Sequence, residues 1–534
     1  MKDFRSDDLF EYTSGRWLYN DALRHAERRR VFDVNGLCRL AAESVHRSPE
    51  EIISFAKLAE GGFNRTFLIT MRDGFEMVAR IPYPLTVPKS YAVASEVATM
   101  SFLRSYGLPV PEVYGYSPTL DNVAETEYIF MEFVRGTKMT DAWADLQDSD
   151  IISIMRQLVQ LERQMMSFSF PASGSLYYSQ DLETLHGKPG VQLKDKLYSV
   201  GPDVRINLWY GRRSQLDIDR GPYKTAEAVL AGAAHKELAY LKQFGEPLLP
   251  FRRIRREAFK FQKQSPLDHI ENLNRYLLIA PHIISSDSNL NGFHIRHPDL
   301  QPSNIMLAKS PDSGWKIVGL LDWQHASILP LFLLAGVPDR LQTDDLSPSP
   351  TPPSMPENSH DLSEERREYT VDLYRQRLVH YYYLQNTVEC NVFHFAALRE
   401  PLGDLRRRLF TCADDMWEGE TLDLKVALIH ATKNWEELAG KDVPCPIAFD
   451  DEDVQRTLAL EEEQREMEKT MGPIYGMLGI IGPAAWVTAE EYEGAMKRSE
   501  KLKRDVMTNA ESEEERAQIL EHWFLDDMDE NKYF

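Results

Sequence analysis

The sequence predicts an α+β fold of two unequal lobes, β-rich first and mostly helical afterwards. Two observations point there. Between residues 51 and 136 five short β-type runs and one helical segment follow one another, whereas beyond 137 apolar residues recur mostly at helical spacing. A third observation, the order of glycine, basic, acidic and amide residues along the chain, bears on what the two lobes hold between them.

Residues 1–50 read as an N-terminal extension closing in a helix, VNGLCRLAAESV. In the small lobe, 51–136, the runs FAKLAE, RTFLIT and EMVARI are separated by GGFN and RDG, the punctuation of three strands joined by turns. SYAVASEVATMSFLRSY, 90–106, follows with Val93, Val97, Met100 and Leu103 on one helical face. PEVYGYS and EYIFMEFV (127–134) return to strand character. In the large lobe, 137–534, helices are predicted over 151–167, 224–243 and 266–281, with an irregular insertion at 200–223 rich in Arg, Asp and Trp. FRRIRREAFKFQK, 251–263, reads as a basic helix: a solvated face, a counterweight to the acidic C-terminal residues, or a receiver of an anionic substrate. Two short β-like runs, NIMLA and WKIVGLLDW, lie within 295–322. The Pro/Ser-rich acidic stretch 342–363 buries little and is expected to be a flexible surface loop. Helices resume at 364.

Composition limits the function classes. The 61 basic side chains face 83 acidic ones, a formal charge of −22, and 43% of residues are hydrophobic. A large core is therefore available, and no nucleic-acid partner is expected, since such a surface would be basic. A small anionic ligand is still permitted, because a phosphate site needs only a few local donors. Cys38, Cys390, Cys412 and Cys445 are far apart and form no CxxC or Cys/His cluster, which argues against zinc and against a disulfide framework. The longest apolar runs, such as LPLFLLAGV at 329–337, reach about half of the ~20 residues that span a bilayer. The first residues, MKDFRSDDLFEYTSGRW, are acidic and have no long apolar core. The expectation is an intracellular chain without a membrane span.

The residues that could carry chemistry come in a telling order. Gly61 and Gly62, in AEGGFNRTF, sit between two strands, where backbone N–H groups could approach a nucleotide phosphate and Asn64 and Arg65 could add donors. An ordinary hairpin turn explains the same glycines. Arg80 lies on the next strand, and Glu96, sixteen residues on in a helix, is its natural ion-pair partner; Lys89 is a second candidate cation. YIFMEFVRG, 128–136, suits a connector between lobes, where backbone groups of Glu132 and Val134 could pair with an adenine edge. In IRHPDLQPSNIML, 295–307, Asp299 would take the proton of an acceptor hydroxyl. Asn304, five residues on, and Asp322, ending the apolar run IVGLL, would hold Mg²⁺, a hard cation preferring oxygen ligands. His297 reads as a hydrogen-bonder that stabilises the loop, and the HYYYLQ aromatics (380–385) as helix packing. Asp and Asn are common turn formers, so the pair alone decides little. A glycine turn, a basic strand residue, a helical Glu, HxDxxxxN and a strand-ending Asp in this succession make up the kinase set.

At these residues the sequence resembles the aminoglycoside phosphotransferase and choline-kinase-like branch of the protein-kinase-like superfamily. HPDLQPSN is similar to that branch's HxDxxxxN loop, and LLDWQH to its metal-binding Asp followed by an aromatic residue. Segments from EYTSGRWLYN to HWFLDDMDE, residues 11 to 530, resemble more specifically the fungal family called altered inheritance of mitochondria protein 9. The resemblance implies a two-lobe protein-kinase-like fold, ATP and Mg²⁺ as cofactors, and transfer of the γ-phosphate to a hydroxyl of an unidentified small molecule. It also implies a mitochondrial association, with the cytoplasm as the alternative because no clear presequence is seen. By matching position, Asp299 is the catalytic acid/base, Asn304 and Asp322 are the metal ligands, and Arg80 with Glu96 is the phosphate-anchoring pair, Arg standing where the pattern has Lys. The rival reading is a nucleotide-binding pseudokinase or mitochondrial assembly factor without turnover. A protein side chain is the less favoured acceptor, since neither DFG nor APE follows Asp322.

Overall fold

The computed structural model describes residues 7–310, 314–342, 351–356 and 363–534. Most of the loop expected at 342–363 lies outside these described residues.

The small lobe is one antiparallel sheet. Its strands are β2 (Ile52–Glu60), β3 (Asn64–Met71), β4 (Glu76–Pro82), β5 (Val113–Ser117) and β6 (Tyr128–Glu132), in spatial order β2-β3-β4-β6-β5. Alternation assigns the faces. Phe67, Ile69, Met77, Ala79 and Phe130 point to one side and bury against Leu37, Cys38 and Ala41 of helix α2 (Val34–Ser44). Asp33 caps α2, its carboxylate accepting the Gly36 N–H at 2.7 Å. Val78, Ile129 and Met131 face the other way and join helix α3 (Tyr91–Ser105) in the core that continues into the large lobe. The sequence gives α3 one apolar face, yet it is buried on nearly every side. The strand Ser175–Tyr178 of the large lobe packs behind it, so that Ala94 touches the cluster of Tyr177 and Leu182.

The large lobe is helical around a short hairpin. Helices Asp148–Ser167 and Glu364–Cys390 pack together, with Tyr383 fully buried and donating to Glu162 at 2.6 Å. The strands Ile305–Ser310 and Gly314–Leu320 pair antiparallel, with Asn304 just before the first and Asp322 just after the second. Residues 200 and 201 end a strand, Tyr198–Gly201, and 202–223 are irregular, with two 3-10 turns.

Two features depart from the sequence expectation. Residues 251–263 form no α-helix, only a 3-10 turn at Arg253–Arg255 followed by turns in which Lys260 and Phe261 adopt φ of 51° and 53°. Separate partners pull the guanidiniums apart. Arg255 pairs with Glu420 at 2.8 Å and Glu468 at 2.7 Å, Arg253 donates to the Trp523 carbonyl, and Arg256 donates to that of Pro250. The segment is a counterweight to acidic residues, without the helix. The N-terminal residues, which end in a helix as expected, also reach the C-terminal part of the chain, a contact the sequence reading did not include. A strand β1 (Gly15–Trp17) pairs antiparallel with Trp486–Thr488. Asn20 and Arg24, the latter on helix α1 (Asp21–Arg28), both bond Glu530.

Candidate active site

Between the lobes, Arg80 is the centre of a charged cluster. The pleat of β4 turns it inward, where one guanidinium nitrogen pairs with Glu96 on α3 and another meets Asp322 Oδ1 at 2.5 Å and Gln324 Oε1 at 3.2 Å. The Glu96 side chain is 3% exposed and that of Arg80 11%. Burial pushes the Glu96 carboxyl up, and Asp322 adds to this, against the pull of Arg80. Burial also pushes Asp322 up, but there Arg80 wins and holds the carboxyl below its usual range. Asn64 points into the same cluster. With its amide oxygen turned to the guanidinium it accepts from Arg80 Nη2 at 2.7 Å and Nε at 3.1 Å.

Arg65 and Lys89, also singled out on this lobe, sit elsewhere. Arg65 is buried against Glu60 and donates to the carbonyls of Leu9 and Arg28, so it belongs to the packing of the N-terminal segment and offers nothing to a phosphate. Lys89 donates to the Pro84 carbonyl at 2.5 Å and the Tyr83 carbonyl at 3.4 Å, away from Glu96. Gly61 and Gly62 are exposed in the β2–β3 turn, which the Gly61 N–H closes by donating to Asn64 at 2.9 Å. Neither glycine has positive φ, and a Cβ on Gly62 would meet nothing within 4 Å.

At the connector, Glu132 donates its N–H to the Glu112 carbonyl at 2.8 Å, and its carboxylate takes the Glu112 N–H and Arg104. Val134 lies close over the large-lobe hairpin. A Cβ added to Gly319 would come within 2.9 Å of Val134 Cγ1 and 3.2 Å of Met306 Cβ. Met306 and Gly319 thus line the seam between the lobes, and sequence reasoning missed both. The signal was a glycine inside the apolar strand WKIVGLL.

The 297–304 loop is tied to the strand end at 321–322 by hydrogen bonds. The Asp299 N–H donates to His297 Nδ1 at 3.1 Å, so Nε2 carries the proton and donates to the Leu321 carbonyl at 2.8 Å. Burial lowers this imidazole to about 4, which keeps it neutral, and its ring centroid lies 4.5 Å from that of Trp323. The loop-stabilising role expected for His297 follows from these bonds. Asn304 Nδ2 donates to the Asp299 carbonyl at 2.9 Å and to its Oδ2 at 3.1 Å, and Gln301 donates to the same Oδ2 at 2.6 Å. Asp299 is exposed, and its Oδ1 accepts no hydrogen bond among the described residues. The Leu321 N–H bonds the Asn304 carbonyl at 2.8 Å, which sets Asp322, at φ 66°, beside the loop. Gln324, which bonds Arg80, is a further residue that sequence reasoning missed.

Among the described residues no three His, Cys, Asp or Glu side chains gather as a metal cage. Asn304, whose amide N–H groups face Asp299, leaves its oxygen as a donor, and Asp322 keeps one carboxylate oxygen off Arg80. Two oxygen donors suit a hard divalent cation that completes its shell with phosphate and water. A cavity of about 840 Å³ opens on Asp299 from the large-lobe side.

Residues 54–203 match the family described as phosphotransferase enzyme family. A subtelomeric hrmA-associated cluster protein of Aspergillus fumigatus is 30% identical over 512 residues, spanning 89% of this chain and 97% of that protein. The altered inheritance of mitochondria protein 9 of Yarrowia lipolytica is 24% identical over 485 residues, 85% of this chain and 81% of that one. Among solved structures, choline kinase of Cryptosporidium parvum covers 76% of this chain and 95% of its own at 12% identity, with a TM-score of 0.28.

Proposed function

Since the chain belongs to the phosphotransferase enzyme family, we propose that it moves the γ-phosphate of ATP to a hydroxyl of a small molecule. One observation carries this reading: Asp299, with one carboxylate oxygen held by Asn304 and Gln301 and the other open, is bonded through neutral His297 to the residue before Asp322. Such an acid is fixed in direction yet accessible. Asp299 Oδ1 orients the acceptor hydroxyl and receives its proton as the oxygen attacks phosphorus in line, while the bond from phosphorus to the leaving ADP oxygen breaks with its electron pair. Asn304 and Asp322 would hold Mg²⁺, which when bound supplies charge neutralisation at the β- and γ-phosphates. Arg80, kept charged by Glu96 and Asp322, faces the phosphates together with the Gly61–Gly62 turn. Backbone groups of Glu132 and Val134 border the adenine, above Met306 and Gly319.

The ion pair between Arg80 and Asp322 favours a second reading, a nucleotide-binding protein without turnover, because a cation of the chain already sits on a metal ligand. The names of the Yarrowia relative and its counterparts support a mitochondrial association.

Thermal unfolding with and without Mg·ATP tests the site, because a ligand that binds only the folded state raises the midpoint. The rise is expected in the wild type and lost in Asp322→Ala. Asp299→Asn should keep it while ADP release falls by about 10²- to 10⁴-fold. Turnover at the wild-type rate in Asp299→Asn sinks the enzyme reading, and a nucleotide shift without turnover on any acceptor favours the second one.

A further inference from the structure

Four arginines line the cavity that opens on Asp299; Arg340 is exposed, and the other three come from separate parts of the large lobe. Arg205 comes from the irregular 200–223 segment, Arg296 from the turn after the strand Phe293–Ile295, and Arg407 from the helix Gly403–Asp414. Each is held by partners within the chain. Arg205 donates Nε to Asp203 and Nη1 to Asp414, both at 2.7 Å. Arg296 donates to Glu162 at 2.7 Å, to the Leu334 carbonyl at 2.8 Å and to the Tyr383 hydroxyl at 2.9 Å. Arg407 pairs with Asp404 and reaches the Phe332 carbonyl.

A guanidinium has five N–H groups in a planar fork. In each of these three, N–H groups remain without a partner among the described residues, Arg205 Nη2 for example. Burial alone would lower Arg205 and Arg296, but the carboxylates beside them outweigh it, and both remain cations. Their side chains are 18% and 12% exposed, so little rotamer freedom is left to lose on binding.

The cavity also carries carboxylates. Asp404 is fully exposed and Asp339 lies on the rim, so solvent screens both. Asp414 is 4% exposed and is neutralised from two sides, by Arg205 at 2.7 Å and by Lys236 Nζ at 4.0 Å.

Resting on the phosphotransferase reading, we infer that the acceptor is a small hydroxylated anion, whose phosphate or carboxylate is bound by Arg205, Arg296 and Arg407. Fixed guanidiniums suit either oxyanion, because the fork matches both geometries.

The test is the thermal midpoint of the full chain at constant ionic strength, with and without a non-hydrolysable Mg·ATP analogue. The probes are glucose 6-phosphate and gluconate, compared with glucose and glucosamine. The two anions, or one of them, should raise the midpoint; whichever does so distinguishes phosphate from carboxylate. Glucose and glucosamine should not. Arg407→Gln, whose ion-pair partner is exposed and so leaves no buried charge behind, should weaken the anion response by about tenfold or more. Arg205→Gln should do the same if it folds. No response to either anion, a full response in Arg407→Gln, or a response to glucosamine alone overturns the inference. An anion response without any nucleotide response leaves the cavity standing and rejects the nucleotide site. The converse rejects the anionic acceptor alone.

Discussion

Asp299, Arg80 and His269 show how one side chain's surroundings set what it can do. Asp299 keeps one oxygen open because its neighbours hold the other. Arg80 stands between two carboxylates, and its removal would leave Glu96 buried and unpaired. Arg80→Met is therefore expected to lower stability by about 3 kcal/mol or more in denaturant unfolding, whereas Arg80→Lys, a point charge that still satisfies Glu96, should lose less. His269 is buried, donating or accepting at Thr421 Oγ1 (2.8 Å), and burial lowers it to about 4 from an ordinary 6.5. Between those values the unfolded chain binds a proton that the folded chain refuses, so stability falls as the pH drops from 6.5 toward 4. Asp415 and Glu418, pushed up by burial to about 6 and about 7, act in the opposite sense. The difference between variants isolates the imidazole. The wild type should lose stability relative to His269→Gln by about 1.4 kcal/mol per pH unit through this window, read from urea unfolding at several pH values.

Helix α2 and the hairpin at 305–320 illustrate the element scale. α2 reaches the small-lobe sheet only because Gly36 lets it lie against the backbone of 123–124, where a Cβ would meet the Val123 carbonyl oxygen at 2.0 Å. Backbone cannot yield as a side-chain tip can, so Gly36→Ala should destabilise by about 2 kcal/mol or more, beyond the ~1 kcal/mol expected for losing the Asp33 cap in Asp33→Ala. Equal losses in chemical denaturation would show that α2 docks differently. Elements with strong local periodicity, such as the β2–β4 runs and α3, could be read from the sequence, because strand alternation and helical spacing are local properties. Residues 251–263 could not. Their basic pattern fits a helix, but ion pairs to Glu420 and Glu468, each more than 160 residues away, hold them in turns.

At the scale of the molecule, the described N- and C-terminal residues fasten to each other across both lobes. Arg24 meets Glu530 at 2.5 Å, Asn20 bonds Glu530 and the backbone of Met528, and Tyr240 donates to the Tyr533 carbonyl at 3.0 Å. Arg24→Met leaves Glu530, whose side chain is 6% exposed, without its cation. It should cost about 3 kcal/mol and open 523–534 to limited proteolysis, and unchanged protease resistance would show that the clasp is held by other contacts. The sequence by itself determined the existence and type of the main elements, the order in which kinase-like residues appear, and the intervals that place Asp299, Asn304 and Asp322 on one loop-and-hairpin unit. Those features depend on residues near one another in the chain. Only the tertiary structure decided that Asp322 and Gln324 join the Arg80–Glu96 pair, that β1 pairs with Trp486–Thr488, and that Arg205, Arg296 and Arg407 line one cavity with Asp299. Each of these joins residues from separate elements, and which charge meets which is settled by the packing of the buried faces, not by any local preference.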